Sequence, residues 1–343
     1  LFKNPEDPIF EEVSSTIHVL SGFINEPPQD VNYDFIYDQI APFGELISTK
    51  ILHTYFNQNK LKCQWLDARK YIKTNKSYRE AKIDWDVTSS NIKSDIPKLL
   101  EDQHIITQGF IGSTNNDHST TLGREGSDFT ASIFASVLNA KSVTIWKDVE
   151  GVLNADPKEF EDTVKYKDLP YSETIEMAYY GASVIHPKTI KPLQNNNIPL
   201  YVKPFDSPKS SGTIISNAEK AHYKIPATII KKNQILISIS PKDLSFIAED
   251  HLSEIFSYLA EFRIKINLMQ NSAISFSLCV DNRESKIKPF IEKLISDYHI
   301  LRNEDAQLVT IRHYTDEVIE SLTKDKEILL EQRSRGTAQF ILK

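Results

Sequence analysis

With 343 residues, 40% hydrophobic and 25% charged, the chain is long enough for two or three domains and has the balance of a globular protein rather than a disordered or fibrous one. Acidic side chains outnumber basic ones, 47 to 40, for a net charge of -7; without a global positive field, a general nucleic-acid or membrane-surface role is disfavoured. Cys63 and Cys279 lie far apart in apolar stretches, which excludes a cysteine-built metal cluster and suits the reducing cytoplasm, and no run approaches the ~18–20 apolar residues of a membrane span.

The chain opens Leu1-Phe2-Lys3 without a methionine and holds only 10 glycines, so its start reads as cut away and an N-terminal element is expected to precede it. Residues 1 to 60 read as helices. Across 43–56, Ile47, Ile51, Leu52 and Tyr55 recur at helical spacing on one face. Residues 63–66 are a short strand candidate and 91–101 a further helix. Ile105 and Ile106 lead a strand into the glycine-containing loop 107–113. Ser127 or Asp128 is expected to cap the next helix, with Ile133, Phe134, Val137 and Leu138 as its buried stripe. A strand at 143–146 ends before Asp148 and a turn at Gly151. Ser172 is expected to cap a helix ending near Gly181, and 198–202 forms one more strand. Strands alternating with helices in this way predict a largely parallel α/β sheet covered on both faces.

Beyond residue 218 the grammar changes. Ile235, Ile237 and Ile239 alternate as one strand face, and Leu252, Ile255, Phe256, Leu259 and Phe262 mark an amphipathic helix. Strands at 264–269 and 274–280 follow, the latter with Ser275, Ser277 and Cys279 on its second face, and a helix at 287–295 closes the unit. A shorter copy follows, with strands at 308–312, 328–332 and 338–342 around a helix at 315–322. Two adjacent βαβ-type units of about 60 residues make a weak internal repeat and put a boundary near 220–225.

Four stretches could carry chemistry. At 120–128, Thr-Thr-Leu-Gly-Arg-Glu-Gly-Ser-Asp opens a helix; helix N-termini bind anions, Arg124 could grip a carboxylate with both arms, and Asp128 could steady a lysine. The plain alternative is a capped helix start with a solvent-facing arginine. Glu45, among apolar neighbours in 43–48, could accept an ammonium group or be an ordinary first-turn glutamate. Residues 146–158 follow a strand, where open α/β sheets place ligands; Lys147 and Lys158 could meet phosphates and Asp148 a ribose or adenine donor, or the stretch is a polar exit from the strand. His186 before Pro187 invites a general-base role, but the helix–helix joint there favours a structural one.

In their order and spacing these pieces resemble aspartate kinase. FGELIS at 43–48, ITQGFIGS at 106–113, TTLGREGSDFTA at 120–131, WKDVEGVLNADP at 146–157 and EMAYYGASVIHP at 176–187 carry the resemblance, with IPLYVKPFDSPKSSGTII at 198–215 and NLMQNSAISF at 267–276 adding to it. It implies an α/β amino-acid-kinase three-layer sandwich with a mostly parallel sheet over 1–220. Two small α+β, ferredoxin-like ACT domains would follow, at 221–300 and 301–343, the second completed by a strand from 225–232. The implied reaction moves the γ-phosphoryl of ATP, with Mg2+, to the β-carboxylate of L-aspartate, the entry to lysine, threonine and methionine. Glu45 would receive the substrate ammonium and Arg124 its α-carboxylate. Glu125, Gly126 and Ser127 would line that pocket, Asp128 would orient a catalytic lysine, and Lys147, Asp148, Leu153, Lys158, Ser183 and Val184 would surround the nucleotide; no protein metal ligands are implied.

The chain departs from the family pattern in three ways. The opening Lys-Phe-Gly-Gly-Thr-Ser strand and loop is absent, Leu153 and Lys158 stand where Tyr and Arg are common, and Asp250 and Asn267 stand where lysine-inhibited members often have Gly and Asp. Lysine first and threonine second are the expected allosteric ligands of a cytoplasmic homodimer or higher oligomer paired through the ACT domains, with no nucleic-acid or membrane partner. Another amino-acid-kinase member, or a sensor that binds amino acid or nucleotide without turnover, is the alternative.

Overall fold

The computed structural model describes residues 1–182, 185–217 and 225–343. The chain divides into two compact units, one of residues 1–151, 167–175 and 183–219, the other of 152–166, 176–182 and 220–343.

The first unit starts with helices α1 (Pro8–Asn25), α2 (Tyr33–Ile40) and α3 (Pro42–Gln58). The Asp7 and Asn32 side chains accept from Ile9 N and Phe35 N and cap the first two, while Pro8 and Pro42 sit in first turns, where a missing N–H is harmless. On α3 it is Pro42 and Leu46 that are buried, whereas Leu52, expected on the inner face, is 42% exposed. Then come β1 (Cys63–Leu66), α4 (Ala68–Tyr71), α5 (Trp85–Asp102), β2 (His104–Thr107), β3 (Ile111–Ser113), β4 (Ser119–Thr121), α6 (Gly126–Leu138) and β5 (Val143–Lys147). After residues 152–166 follow β6 (Asp168–Pro170), α7 (Tyr171–Tyr180), of which residues from 176 on belong to the second unit, α8 (Pro187–Asn195), β7 (Leu200–Pro204) and β8 (Thr213–Ser216).

Strands β1 and β2 pair in parallel, β3 and β4 form an antiparallel pair, and a four-stranded sheet runs β5-β7-β8-β6. Its β5–β7 and β6–β8 pairings are parallel and its β7–β8 pairing antiparallel, so the α/β sheet is mixed. Around Ile72, Ile92, Ile96, Leu122, Ile133 and Val137 the helices α5 and α6 share a core, with Phe134 and Leu138 packed at its margin.

Three local expectations shift. Helix α6 begins at Gly126 behind Glu125, which adopts a left-handed conformation (φ 54°) and gives no side-chain cap; Ser127 and Asp128 lie inside the first turn instead of capping it. Helix α7 begins at Tyr171, which puts Ser172 within the helix. The strand expected at 198–202 starts two residues later, because Tyr171 Oη donates to Ile198 O and holds that carbonyl outside the ladder.

The second unit is dominated by one six-stranded sheet, built from β9 (Ala227–Pro241), α9 (Glu249–Glu261), β10 (Ile266–Asn271), β11 (Phe276–Asp281), α10 (Glu284–Leu294), β12 (Tyr298–Arg312), α11 (Asp316–Thr323), β13 (Ile328–Arg333) and β14 (Thr337–Leu342). Its order is β10-β11-β9-β12-β14-β13. The two ferredoxin-like motifs are not separate blocks, because β9 and β12, each 15 residues long, run through both. Residues Gln234 to Ile239 of β9 pair with β11, whereas Ala227 to Lys231 pair with Arg312 to Leu308 of β12.

Three clusters fill this unit. Ile235, Ile237, Ile239, Ile255, Leu278 and Phe290 make the core under α9 and α10, and Val309, Ile311, Ile319 and Phe340 make the one under α11. Cys279, on the second face of β11, belongs to a third, with Leu236, Leu308 and Ile341, while Ser277 on that face is half-buried. Thr315 caps α11, accepting from Val318 N. Among the described residues no helix is long and apolar enough to cross a membrane.

Ile237 is fully buried in the core under α9 and α10, while Leu244 is 74% exposed. Ile237→Ala is expected to lower the unfolding free energy by about 2–5 kcal/mol in urea titration. Leu244→Ala should change it by less than about 0.5 kcal/mol.

Candidate active site

The segment between β2 and β3 fastens the first unit's candidate site. Gln108 is fully buried; its Nε2 donates to Thr49 Oγ1 at 2.8 Å and its Oε1 accepts from Ala68 N at 2.8 Å. Thr49 in turn donates to Glu45 O at 2.7 Å and accepts from Trp65 Nε1 at 3.0 Å. One buried amide therefore ties the first turns of α3, the start of α4 and the loop after β2. A glutamine does this because it offers a donor and an acceptor at fixed spacing.

The next two residues reach the other side. A Cβ on Gly109 would lie 2.7 Å from Ser127 Cα, so only glycine allows the loop to touch the start of α6. Phe110 N donates to Thr130 Oγ1 at 3.0 Å, Phe110 O accepts from Leu122 N at 2.8 Å, and the Phe110 ring fills the space over Gly126. Glu45 on α3 and the Gly126–Asp128 turn of α6 are thus held by three consecutive residues.

Asp128 and Lys147 meet directly. Lys147 ends β5, and its Nζ donates to Asp128 Oδ2 at 2.8 Å, with 25% and 14% of the two side chains exposed. The cation is therefore fixed at the first turn of a helix, where the backbone dipole also favours negative charge. Glu45 is half-buried, and burial raises its carboxyl above the ordinary glutamate value. Arg124 is 71% exposed, with its Nε 4.0 Å from Glu125 Oε1; the other Glu125 oxygen is buried without a hydrogen-bond partner.

The remaining expected residues are scattered. Asp148 is exposed just past β5. Leu153 and Lys158 belong to the second unit, where Leu153 bridges Lys165 and Lys158 N donates to Asp156 Oδ1 at 2.9 Å. Ser183 and Val184 lie outside the described residues. His186 Nδ1 accepts from Lys188 N at 3.1 Å and caps α8. A cleft of about 630 Å³ in the first unit is lined by Phe43, Leu46, Lys50, Trp65, Asp67 and Arg69 together with α1. Phe43 and Leu46 flank Glu45, but Glu45, Arg124 and Asp128 do not line it.

Sequence reading assigned no role to Gln108 or to Asp38. Gln108 carried a signal, a lone amide inside the apolar run ITQGFIGS. Asp38 carried almost none, since an aspartate in a surface-like helix is ordinary.

The charged Asp128–Lys147 pair thus stands at a helix start, beside a glycine-bearing loop in an α/β unit. Residues 11–204 match the family described as the amino acid kinase family, and the chain belongs to it. It is similar to lysine-sensitive aspartokinase 3 of Escherichia coli (strain K12), 32% identical over 248 residues, covering 72% of this chain and 55% of that protein. It is also similar to chloroplastic bifunctional aspartokinase/homoserine dehydrogenase 2 of Arabidopsis thaliana, 32% identical over 268 residues, 76% of this chain and 29% of that one. The chain thus spans about half the length of the first relative and less of the second. In structure it aligns with E. coli aspartokinase III in complex with aspartate and ADP at a TM-score of 0.82 and 26% identity, over 99% of this chain and 79% of that chain. With Clostridium acetobutylicum aspartate kinase the TM-score is 0.76 at 22% identity, over 96% of this chain and 76% of that one, a likeness of fold.

Gly109→Ala must displace the α6 backbone and is expected to cost about 1–3 kcal/mol in urea unfolding. Gly44→Ala, where nothing lies within 4 Å of the new methyl, should stabilise α3 by about 0.5–1 kcal/mol.

Proposed function

We propose that this chain is the larger part of an aspartate kinase, which transfers the γ-phosphoryl group of ATP to the β-carboxylate of L-aspartate and yields 4-phospho-L-aspartate and ADP. The observation that carries the reading is the Asp128–Lys147 pair at 2.8 Å, in a chain of this family that aligns with an aspartokinase described in complex with aspartate and ADP.

The chemistry asks for positioning and charge more than for a base. A β-carboxylate is ionised at neutral pH; one of its oxygens forms the new P–O bond while the bond from phosphorus to the ADP oxygen breaks, and no proton moves. Arg124 binds the substrate α-carboxylate through its planar fork, and Glu45 accepts the ammonium group. Glu125, Gly126 and Ser127 form the floor between them. Asp128 keeps the Lys147 ammonium turned toward the phosphate oxygens, where negative charge develops.

Asp148, Leu153, Lys158, Ser183 and Val184 are the nucleotide residues of this reading. Mg2+ would accompany the triphosphate and supply charge neutralisation there. The ACT-like sheet of the second unit takes an amino acid effector, lysine before threonine, in a homodimer or larger assembly. We assign the cytoplasm, in keeping with two buried free cysteines.

Full-length protein given Mg-ATP, L-aspartate and hydroxylamine is expected to release aspartyl hydroxamate; no hydroxamate at saturating substrate removes the proposal. Arg124→Ala should raise the KM for aspartate, and Asp128→Asn should lower kcat, each by about 10–100-fold, the worth of one charge-assisted hydrogen bond.

Glu45 adds a pH signature. Its carboxyl titrates above the ordinary value because of burial, and only the ionised form holds an ammonium group. The KM for aspartate should therefore climb as pH falls, beginning at a higher pH than a solvent-exposed glutamate would give, and Glu45→Gln should flatten that limb. A wild-type KM that stays level down to the ordinary carboxylate range refutes the assignment of Glu45.

A further inference from the structure

Asp38 is fully buried on α2, yet among the described residues no cation neutralises it. Its Oδ2 accepts from Thr121 N at 2.8 Å and from Arg79 N at 2.9 Å, and its Oδ1 accepts from Thr121 Oγ1 at 2.8 Å. The Arg79 guanidinium is turned elsewhere, 3.4 Å from Asp34 Oδ1 and 4.9 Å from the Tyr37 ring. Burial pushes the Asp38 carboxyl up and the three donors pull it back. A buried carboxylate committed to two backbone amides and a hydroxyl holds chain segments together.

Those segments lead straight to Arg124. Asp38 shares one oxygen between the 79–81 turn and the end of β4, and Ala81 N donates to Thr121 O at 3.0 Å to close the same joint. The adjacent Gln39 grips the start of β4 twice, donating to Ser119 O at 2.9 Å and accepting from Ser119 N at 3.1 Å. Two residues past Thr121, Gly123 is left-handed (φ +76°), and a Cβ there would lie 3.1 Å from Arg79 O. The turn that Asp38 holds is therefore the wall against which Gly123 sits, immediately before Arg124.

We infer that Asp38 is a positioning residue for the acceptor site: by clamping the 79–81 turn to β4 it fixes the Gly123–Arg124 corner from which Arg124 reaches the substrate carboxylate. The inference rests on the proposed role of Arg124 and extends it to a residue that touches no substrate. It separates two substitutions of similar size. Asparagine preserves the clamp, because its carbonyl oxygen can accept from both amides while its NH2 donates to Thr121 Oγ1. Leucine leaves the buried Thr121 amide and the part-buried Arg79 amide without an acceptor.

The test uses the full-length enzyme with Asp38→Leu, Asp38→Asn and the milder Thr121→Val, which deletes only the hydroxyl donor. Asp38→Leu is expected to raise the KM for aspartate about tenfold or more, as misplacement of a binding group does, and Thr121→Val to raise it less. In both, the KM for ATP should stay within about twofold, and Asp38→Asn should stay near wild type in each constant. A residue that matters only for stability lowers the active fraction and leaves both KM values alone. That pattern, in Asp38→Leu or, where this variant does not fold, in Thr121→Val, overturns the inference.

Amide hydrogen exchange reads the clamp without turnover. Residues 119–126 should exchange about tenfold faster in Thr121→Val, and faster still in Asp38→Leu, with 200–204 unchanged. Unchanged exchange at 119–126 sinks the clamp even if the kinase reading holds. Faster exchange in the variants, alongside a wild-type chain that makes no aspartyl phosphate, keeps the clamp and sinks the kinase reading instead.

Discussion

A buried glutamine amide and the glycine after it set the geometry on which the first unit's site depends. Gln108 can satisfy Thr49 and Ala68 only if α3, the start of α4 and the loop after β2 come within hydrogen-bond reach of one point. Leaving either half of a fully buried amide unpaired costs about 1–3 kcal/mol, so the contact is enforced from both sides. Gly109 then removes the one methyl that would keep the loop off α6. Glu45, on the first, and Asp128, on the second, inherit their separation from a three-residue spacer with no conformational slack. Preorganisation of this kind suits phosphoryl transfer, where charge must be placed before reaction and not recruited during it.

The second unit obtains its rigidity by other means. Two adjacent small domains joined by a linker could pivot about it. Here β9 and β12 pass through both ferredoxin-like motifs, so twelve residue pairs of a single antiparallel ladder run the length of the unit. The ladder is irregular only between Asn303 and Leu308. That break falls where the pairing changes from one motif to the other, beside the cluster of Leu236, Cys279, Ala306 and Leu308. Cys279 is sealed there, its thiol pushed up to about 12 by burial, which makes it a packing residue and not a nucleophile.

Periodicity revealed much of this and misled in definable places. The alternation of Ile235, Ile237 and Ile239 identified a strand face because all three are fully buried on one side of a sheet. It could not reveal that Cys279 faces a second core, since a serine- and cysteine-bearing face reads as polar until its cover is known. The α6 start misled for a local reason. Ser127 and Asp128 are good capping residues, but the left-handed Glu125 ends the preceding turn and Asp128 spends its carboxylate on Lys147, so capping preference yields to a tertiary ion pair. Asp38 was illegible for the opposite reason: its partners are mostly backbone amides, which every residue possesses, and only the fold brings Arg79 and Thr121 to it.

The polypeptide between Lys147 and the next strand shows why a motif can be contiguous in sequence and divided in structure. Lys147 ends a strand of the first unit, whereas residues 152–166 pack with the second. Asn154 anchors that stretch: its carbonyl accepts from Thr228 N at 2.7 Å, its Nδ2 donates to Pro226 O at 3.2 Å, and its Oδ1 accepts from Val164 N at 2.7 Å. Tyr166 Oη adds a bond to Ile225 O at 3.0 Å. Leu153 is covalently next to Asn154, so its position is set by the opening residues of β9, the strand that also carries Gln234 and the core isoleucines. On the proposed reading Leu153 meets the nucleotide. Two of the Asn154 bonds, to Pro226 and Thr228, reach the start of β9, so a shift of that strand along its ladder carries Leu153 with it.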